Sequence, residues 1–158
     1  MTGLARYWLP PLAWMAVIWW LSSDAGSAHH TSGIVGWIVT LLVPWATPAE
    51  IALVHALVRK LGHLTEYAIL AILWFRALHV GRGLTPILST LTALAISVAW
   101  AIIDEFHQSF VPSRTSTSLD VLIDITGATL ALLVLYACTA RTATKRALRV
   151  VPTPHLSE

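Results

Sequence analysis

Acidic, imidazole and amide side chains are concentrated in the stretch DEFHQSFVPSR, which runs from Asp104 to Arg114. This stretch directly follows an apolar run, Leu84 to Ile103, that contains no charged residue. A carboxylate beside a histidine can transfer protons or bind a metal ion, and an arginine can bind phosphate through two parallel hydrogen bonds. The pattern therefore predicts a polar site at the end of an apolar segment.

Two other segments carry polar side chains three or four residues apart, the spacing that places residues on one face of a helix. They are KLGHLTEY and LDVLIDITG, and their polar members are Lys60, His63, Glu66, Tyr67, Asp120 and Asp124. The second segment continues with Gly127, Ala128 and Ala131, small residues that let a neighbouring helix approach closely. These faces predict one polar site shared by packed helices.

The composition shows what kind of elements must position these residues. The chain has 158 residues, of which 56% are hydrophobic and 11% charged, and its mean hydropathy is +0.72. A soluble domain has about 25% charged residues, so this composition indicates a membrane protein. The net charge of +2 is not gathered into a basic patch, which argues against nucleic acid as a partner. Cys138 is the only cysteine, so no internal disulfide can form.

Segments of about 20 apolar residues can cross a bilayer as helices. Those that approach this length are Tyr7–Ser23, Leu61–Leu78, Leu84–Ile103 and Leu119–Thr139. A shorter apolar run, Gly33–Ala46, fits an interfacial or re-entrant segment better than a crossing. The sequence thus predicts an all-α integral membrane protein, a four-helix transmembrane bundle with one extra interfacial or re-entrant segment.

The distribution of Lys and Arg predicts the orientation of such a bundle. With four crossings and a cytoplasmic N-terminus, seven of the ten basic residues lie inside, as the positive-inside rule requires. Residues 1–140 then form a single transmembrane domain, and residues 141–158 form a basic cytoplasmic tail. In this topology five of the eight acids fall at the extracytoplasmic face: Glu66, Asp104, Glu105, Asp120 and Asp124.

Two helix starts are also visible. Thr47 followed by Pro48 and Glu50 has the pattern of a capping box, which predicts a surface helix that begins at Pro48 and precedes the second apolar segment. Ser118 is placed to cap the fourth predicted crossing.

The polar residues fit three kinds of site. The first is a structural network of ion pairs and hydrogen bonds in which Lys60 and Arg114 supply positive charge. The second is a metal site, for which the candidate ligands are His63, Glu66, Glu105 and His107. The third is a pocket for a lipid headgroup or an envelope precursor, and its candidate binding residues are Lys60, His63, Tyr67, Asp104, Glu105, Gln108, Arg114, Asp120 and Asp124.

Four motifs in this order resemble those of the VanZ-like family of bacterial membrane proteins. They are Ser22-Ser23 after the first apolar segment, KLGHLTEY, DEFHQSFVPSR and DVLIDITG. The residues that match the family's pattern are Lys60, His63, Tyr67, Asp104, Glu105, Gln108, Pro112, Arg114, Asp120 and Gly127. The chain departs from it at Ser113 and Ala131, where Gly is usual, and at Asp124, where Asn is usual.

The resemblance implies a multi-pass protein of the bacterial inner membrane, with both termini in the cytoplasm. The family's named member is associated with resistance to the glycopeptide teicoplanin, so the resemblance also implies a link to glycopeptide susceptibility. It names no reaction and no cofactor.

Two functions therefore stand as hypotheses. The first is an envelope protein whose extracytoplasmic polar site binds lipid headgroups or cell-wall precursors. The alternative is an intramembrane enzyme, metal-assisted or acid–base, that acts on an outer-leaflet lipid or precursor. Its candidate catalytic residues are His63, Glu66, Asp104, Glu105 and His107. No nucleophile motif such as G-x-S-x-G accompanies them.

Overall fold

The computed structural model describes residues 3–23, 28–112 and 117–150. Within these ranges the chain is helical, with no β-strand, which confirms the predicted all-α class. The helices are α1 (Gly3–Ser22), α2 (Ala28–Leu42), α3 (Pro48–Arg76), α4 (Pro86–Gln108) and α5 (Ser118–Val150). A π-helical turn, Ala77–Gly81, continues α3 towards α4.

Three segments of the described chain are helices long and apolar enough to cross a membrane: Pro48–Gly81, Pro86–Gln108 and Ser118–Thr142. The first predicted crossing corresponds to α1, which has 20 residues and is not one of these three; it contains Arg6, two prolines and four tryptophans. The apolar part of α2, Ser32–Leu42, is too short for a full crossing. The predicted bundle is thus shown for three helices, and the fourth crossing stays a prediction.

The predicted surface helix and the second predicted crossing are one continuous helix, α3. Its capping box is confirmed: the Thr47 side chain accepts from the backbone N–H of Glu50, and the Glu50 carboxylate accepts from the backbone N–H of Thr47. At 1.5 Å per residue, α3 and the π-helical turn together are about 50 Å long, well beyond the roughly 30 Å hydrocarbon core. The first ten residues of α3 extend past the start of α5, and α2 packs against α3.

The start of α5 differs from the prediction by one residue. Thr117, not Ser118, is the cap, because its side-chain oxygen accepts from the backbone N–H of Asp120 at 3.3 Å. Ser118 is instead the first residue of the helix. An acid three residues after the cap is favourable, since it faces the positive end of the helix dipole.

Small residues allow the helices to pack closely. On α4, Ser89, Ala93, Ser97 and Ala101 are buried and recur at intervals of four, so they form one face of that helix. The closest approach joins α5 to α3 at Gly127, where a Cβ atom would lie 2.1 Å from the carbonyl oxygen of Leu64. This confirms the prediction that the small face of α5 meets a neighbouring helix.

The two ends of the bundle carry opposite charge. We call the acidic end the one where α1 and α4 end, α5 begins and His63 of α3 lies; its acids are Asp104, Glu105, Asp120 and Asp124. We call the basic end the one where α3 ends and α1 and α4 begin; its charged residues include Arg6, Arg76 and Arg82. No Asp or Glu of the described ranges lies at the basic end.

Candidate functional site

A histidine–carboxylate pair joins α3 to α5 at the acidic end. Nδ1 of His63 lies 3.2 Å from Oδ1 of Asp124, and both side chains are buried. The close approach of the helices at Gly127, three residues after Asp124, makes this contact possible. The sequence predicted both residues on inward faces, and the structure shows that they are direct partners.

A second polar group joins α1 to α4. The Ser22 hydroxyl donates to Oδ2 of Asp104 at 2.7 Å, and Nε2 of Gln108 donates to the same oxygen at 3.0 Å. Nε2 of Gln108 also contacts the Ser22 hydroxyl oxygen at 3.2 Å. Ser22 was absent from the predicted binding residues, although it belongs to the Ser22-Ser23 pair that carries part of the family resemblance. All three side chains are buried.

Three polar atoms of this region are buried without a hydrogen-bond partner among the described residues. They are the Tyr67 hydroxyl, Oδ1 of Asp104 and Oε1 of Gln108. Tyr67 is fully buried on α3, one helical turn after His63. A buried polar atom without a partner costs about 1–3 kcal/mol, which is why such atoms are expected to meet water or a ligand.

A cavity of about 340 Å³ opens at the acidic end between α3 and the start of α5. Its lining residues are Ala56, Arg59, Lys60, Thr117, Leu119 and Asp120. Arg59 contacts Asp120 at 3.9 Å, whereas Lys60 makes no ion pair in the part of the chain that the structure describes. Arg59 was not among the predicted site residues, but its position four residues before His63 puts it on the same helix face.

The cavity lies about one helical turn from the buried His63–Asp124 pair. Asp120 precedes Asp124 by four residues on α5, and Lys60 precedes His63 by three on α3, so each step is about one helical turn, or roughly 5 Å. The site thus has a charged entrance and a buried polar floor.

Glu105 ties the end of α4 to the start of α5. Its carboxylate accepts a hydrogen bond from the backbone N–H of Thr117, and the residue is buried. It therefore stabilises the segment that carries Asp120, close to the cavity. Arg114 and Ser113 lie outside the described residues, so the predicted phosphate contact of Arg114 stays a prediction.

His107 and Glu66, two further predicted site residues, do not line the cavity. The His107 ring stacks on Trp19 with 3.9 Å between ring centroids, which places it at the contact of α1 with α4. Glu66 is half-buried, and its backbone carbonyl accepts from the Trp14 indole N–H at 2.9 Å. Within residues 3–23, 28–112 and 117–150, no three His, Cys, Asp or Glu residues are grouped so that they could hold a metal ion.

The sequence model of the VanZ/LLP1 family matches residues 7–139. The chain therefore belongs to the VanZ/LLP1 family, which confirms the resemblance found in its motifs. No curated protein matches the chain significantly, and no solved structure does. Family membership and three long apolar helices together define a membrane protein.

Proposed function

We propose that this protein is a multi-pass protein of the bacterial inner membrane whose acidic end faces outward and binds the phosphorylated headgroup of a lipid or of a lipid-linked cell-wall precursor. The observation that carries the proposal is the cavity lined by Arg59 and Lys60, about one helical turn from the buried His63–Asp124 pair. Polar side chains inside a membrane helix bundle are costly, and they mark functional sites more often than chance would give.

The chemistry of the cavity favours an anionic group that also offers hydrogen-bond donors. Arg59 and Lys60 supply donors for phosphate oxygens, while Asp120 neutralises only part of this positive charge. The Asp120 carboxylate at the cavity wall is also an acceptor, and hydroxyl or amide groups of a headgroup could donate to it. A volume of about 340 Å³ is at the lower end of the range of small-molecule pockets, and it suits a headgroup.

The proposed orientation uses four crossings, with α1 as the first. A helix of 20 residues is about 30 Å long, which equals the hydrocarbon core. Both termini are then cytoplasmic, and the first turns of α3 lie with α2 at the outer surface. The large exposed side chains there, including Trp37, Trp45 and Leu53, suit a membrane interface.

Residues 1–140 form the transmembrane domain in this proposal, and 141–158 the cytoplasmic tail. The backbone of α5 continues to Val150, so the tail begins as an extension of that helix. Binding of a cell-wall precursor at the outer surface would link the protein to teicoplanin susceptibility, because glycopeptides act at the same surface.

The binding test uses protein in nanodiscs of zwitterionic lipid, titrated with a lipid-linked peptidoglycan precursor or with phosphatidylglycerol. We expect Lys60→Gln to weaken binding about tenfold, the equivalent of one charge-assisted hydrogen bond. Arg82→Gln removes an exposed charge at the basic end and should leave binding of the precursor unchanged. Equal affinity of the Lys60→Gln protein and the unaltered protein for both lipids would contradict the proposal.

One observation favours a second candidate, an acid–base enzyme acting on the same lipids. The Asp124 carboxylate holds Nδ1 of the His63 imidazole, and this arrangement orients a general base in many enzymes. Incubation of the precursor with the protein, followed by mass spectrometry, distinguishes the two. A product that disappears in Asp124→Asn would favour the enzyme, and unchanged precursor with retained binding would favour the binding protein.

A further inference from the structure

Two arginines from different elements share one aromatic ring at the basic end. The guanidinium carbon of Arg6 lies 5.9 Å from the ring centroid of Tyr7, and that of Arg76 lies 5.2 Å from the same centroid. Both distances are within cation–π range. The ring joins α1 to the end of α3, so it brings together two charges that are far apart in the sequence.

The position of the ring is fixed by close packing. A Cβ atom at Gly81 would lie 2.9 Å from Cβ of Tyr7, so any side chain there would have to displace the tyrosine. The π-helical turn that contains Gly81 therefore presses on the base of the tyrosine. A fixed ring provides a platform on which both guanidinium groups are held.

No acidic residue of the described ranges balances the charge of these arginines. In those ranges no Asp or Glu lies at the basic end, and neither the Arg6 nor the Arg76 guanidinium makes a hydrogen bond or ion pair. Both side chains are exposed. Each guanidinium has five N–H donors in a fixed fork, which matches the oxygen atoms of a phosphate group. Two like charges held on one ring are stabilised when an anion binds between them.

We propose that Arg6 and Arg76 bind the phosphate of an anionic phospholipid in the leaflet at the basic end, with Tyr7 as the platform. The site lies at the end of membrane-spanning helices, where headgroup phosphates are found, and basic pockets at such positions bind anionic headgroups. Leu9 lies on α1 and Val80 in the π-helical turn that follows Arg76, and both are more than half exposed, so acyl chains have apolar contacts beside the arginines. The site is at the opposite end from the cavity and does not depend on its function.

The test is native mass spectrometry and thermal melting of the detergent-purified full chain with added phosphatidylglycerol, phosphatidylcholine or inorganic phosphate. We expect phosphatidylglycerol alone to remain bound and to raise the melting temperature. Arg76→Gln should weaken its binding about tenfold, and Arg76→Lys should weaken it less, because charge is kept while the fork is lost. Tyr7→Phe keeps the ring and should retain binding.

Arg82→Gln is the matched control, since Arg82 is exposed at the same end but has no contact with Tyr7 in the described structure. Equal losses in Arg76→Gln and Arg82→Gln would show general surface attraction and overturn the proposal. An equal effect of inorganic phosphate would overturn the assignment to a lipid. If Arg76→Gln does not fold in phosphatidylcholine nanodiscs, Arg6→Gln on α1 is compared with Arg82→Gln instead. A loss of phosphatidylglycerol binding in Arg6→Gln alone would support the proposal, and equal losses would overturn it.

Discussion

The two ends of the bundle carry opposite charges, which are buried and partnered at the acidic end and exposed at the basic end. At the acidic end Asp104 and Asp124 are each 1% exposed, and each contacts a side chain of another helix. At the basic end Arg6, Arg76 and Arg82 are exposed, and two of them rest on a tyrosine ring. Long arginine side chains can reach the aqueous interface from a membrane helix, whereas the short side chain of aspartate cannot.

This difference indicates that the acidic end depends on precise helix packing more than the basic end does. The acids can be tolerated only if a neighbouring helix supplies partners, so the acidic end requires a defined arrangement of α1, α3, α4 and α5. The arginines require only that their guanidinium groups reach the membrane–water interface, and their positions at the ends of the helices allow this. Substitutions at the acidic end should therefore affect folding, and those at the basic end should affect mainly binding and orientation.

The largest expected effect is that of Gly127→Ala. The added Cβ would lie 2.1 Å from the backbone oxygen of Leu64, and backbone cannot move aside as a side chain can, so α3 and α5 must separate. We expect a loss of about 3 kcal/mol or more, measured by thermal or denaturant unfolding in detergent. Gly81→Ala at the basic end meets a tyrosine side chain and should cost about 1 kcal/mol. A smaller loss of unfolding free energy for Gly127→Ala than for Gly81→Ala would contradict the view that packing specifies the acidic end more strictly than the basic end.

Removal of the Asp124 carboxylate should have the next largest effect. Asp124→Ala leaves His63 buried without its partner, which we expect to cost about 1–3 kcal/mol. Asp124→Asn should be much milder, because the amide oxygen can still accept from His63 and because Asn is the residue usual at this position in the family. Arg82→Ala, at the exposed end, should change the free energy of unfolding by less than about 0.5 kcal/mol. Equal losses for Asp124→Ala and Asp124→Asn would mean that His63 does not depend on this bond.

The smallest effect is expected for the Arg59–Asp120 ion pair. The atoms are 3.9 Å apart and the arginine side chain is 22% exposed, so water screens the interaction. A double-mutant cycle with Arg59→Gln and Asp120→Asn should give a coupling of about 0–1 kcal/mol. The corresponding cycle for His63 and Asp124 should exceed it. We also expect the Arg59–Asp120 coupling to disappear in high salt and the His63–Asp124 coupling to persist, because salt screens exposed charges more than buried ones.

Much of this arrangement could be predicted from the sequence because it depends on local spacing. The three- and four-residue intervals placed His63, Tyr67, Asp104 and Asp124 on inward faces, and the structure shows all of them buried. The capping box at Thr47 is equally local, since all its atoms lie within four residues. The close helix contact at Gly127 could also be predicted from spacing, because a small residue about one turn after an acid on the same face lets a neighbouring helix approach.

The rest depended on contacts that spacing does not encode. Ser22 and Asp104 are 82 residues apart, so only the packing of α1 on α4 shows that they are partners. His63 faces Asp124 and not Glu105, because the rotation of α3 against α5 sets which inward residue meets which. Trp19 stacks on His107, a contact between α1 and α4 that residue spacing does not reveal. The cap of α5 was displaced by one residue because Thr117 and Ser118 are both good caps.

In the proposed topology the acidic end faces the outside of the cell and the basic end faces the cytoplasm. Cys138 is the only cysteine, so Cys138→Ser gives a background in which Pro112→Cys and Arg82→Cys each introduce one thiol at an exposed position. A membrane-impermeant thiol reagent applied to intact spheroplasts should label Pro112→Cys and leave Arg82→Cys unlabelled until the membrane is permeabilised. Labelling of Arg82→Cys but not Pro112→Cys from outside would contradict the account, because the cavity would then open to the cytoplasm.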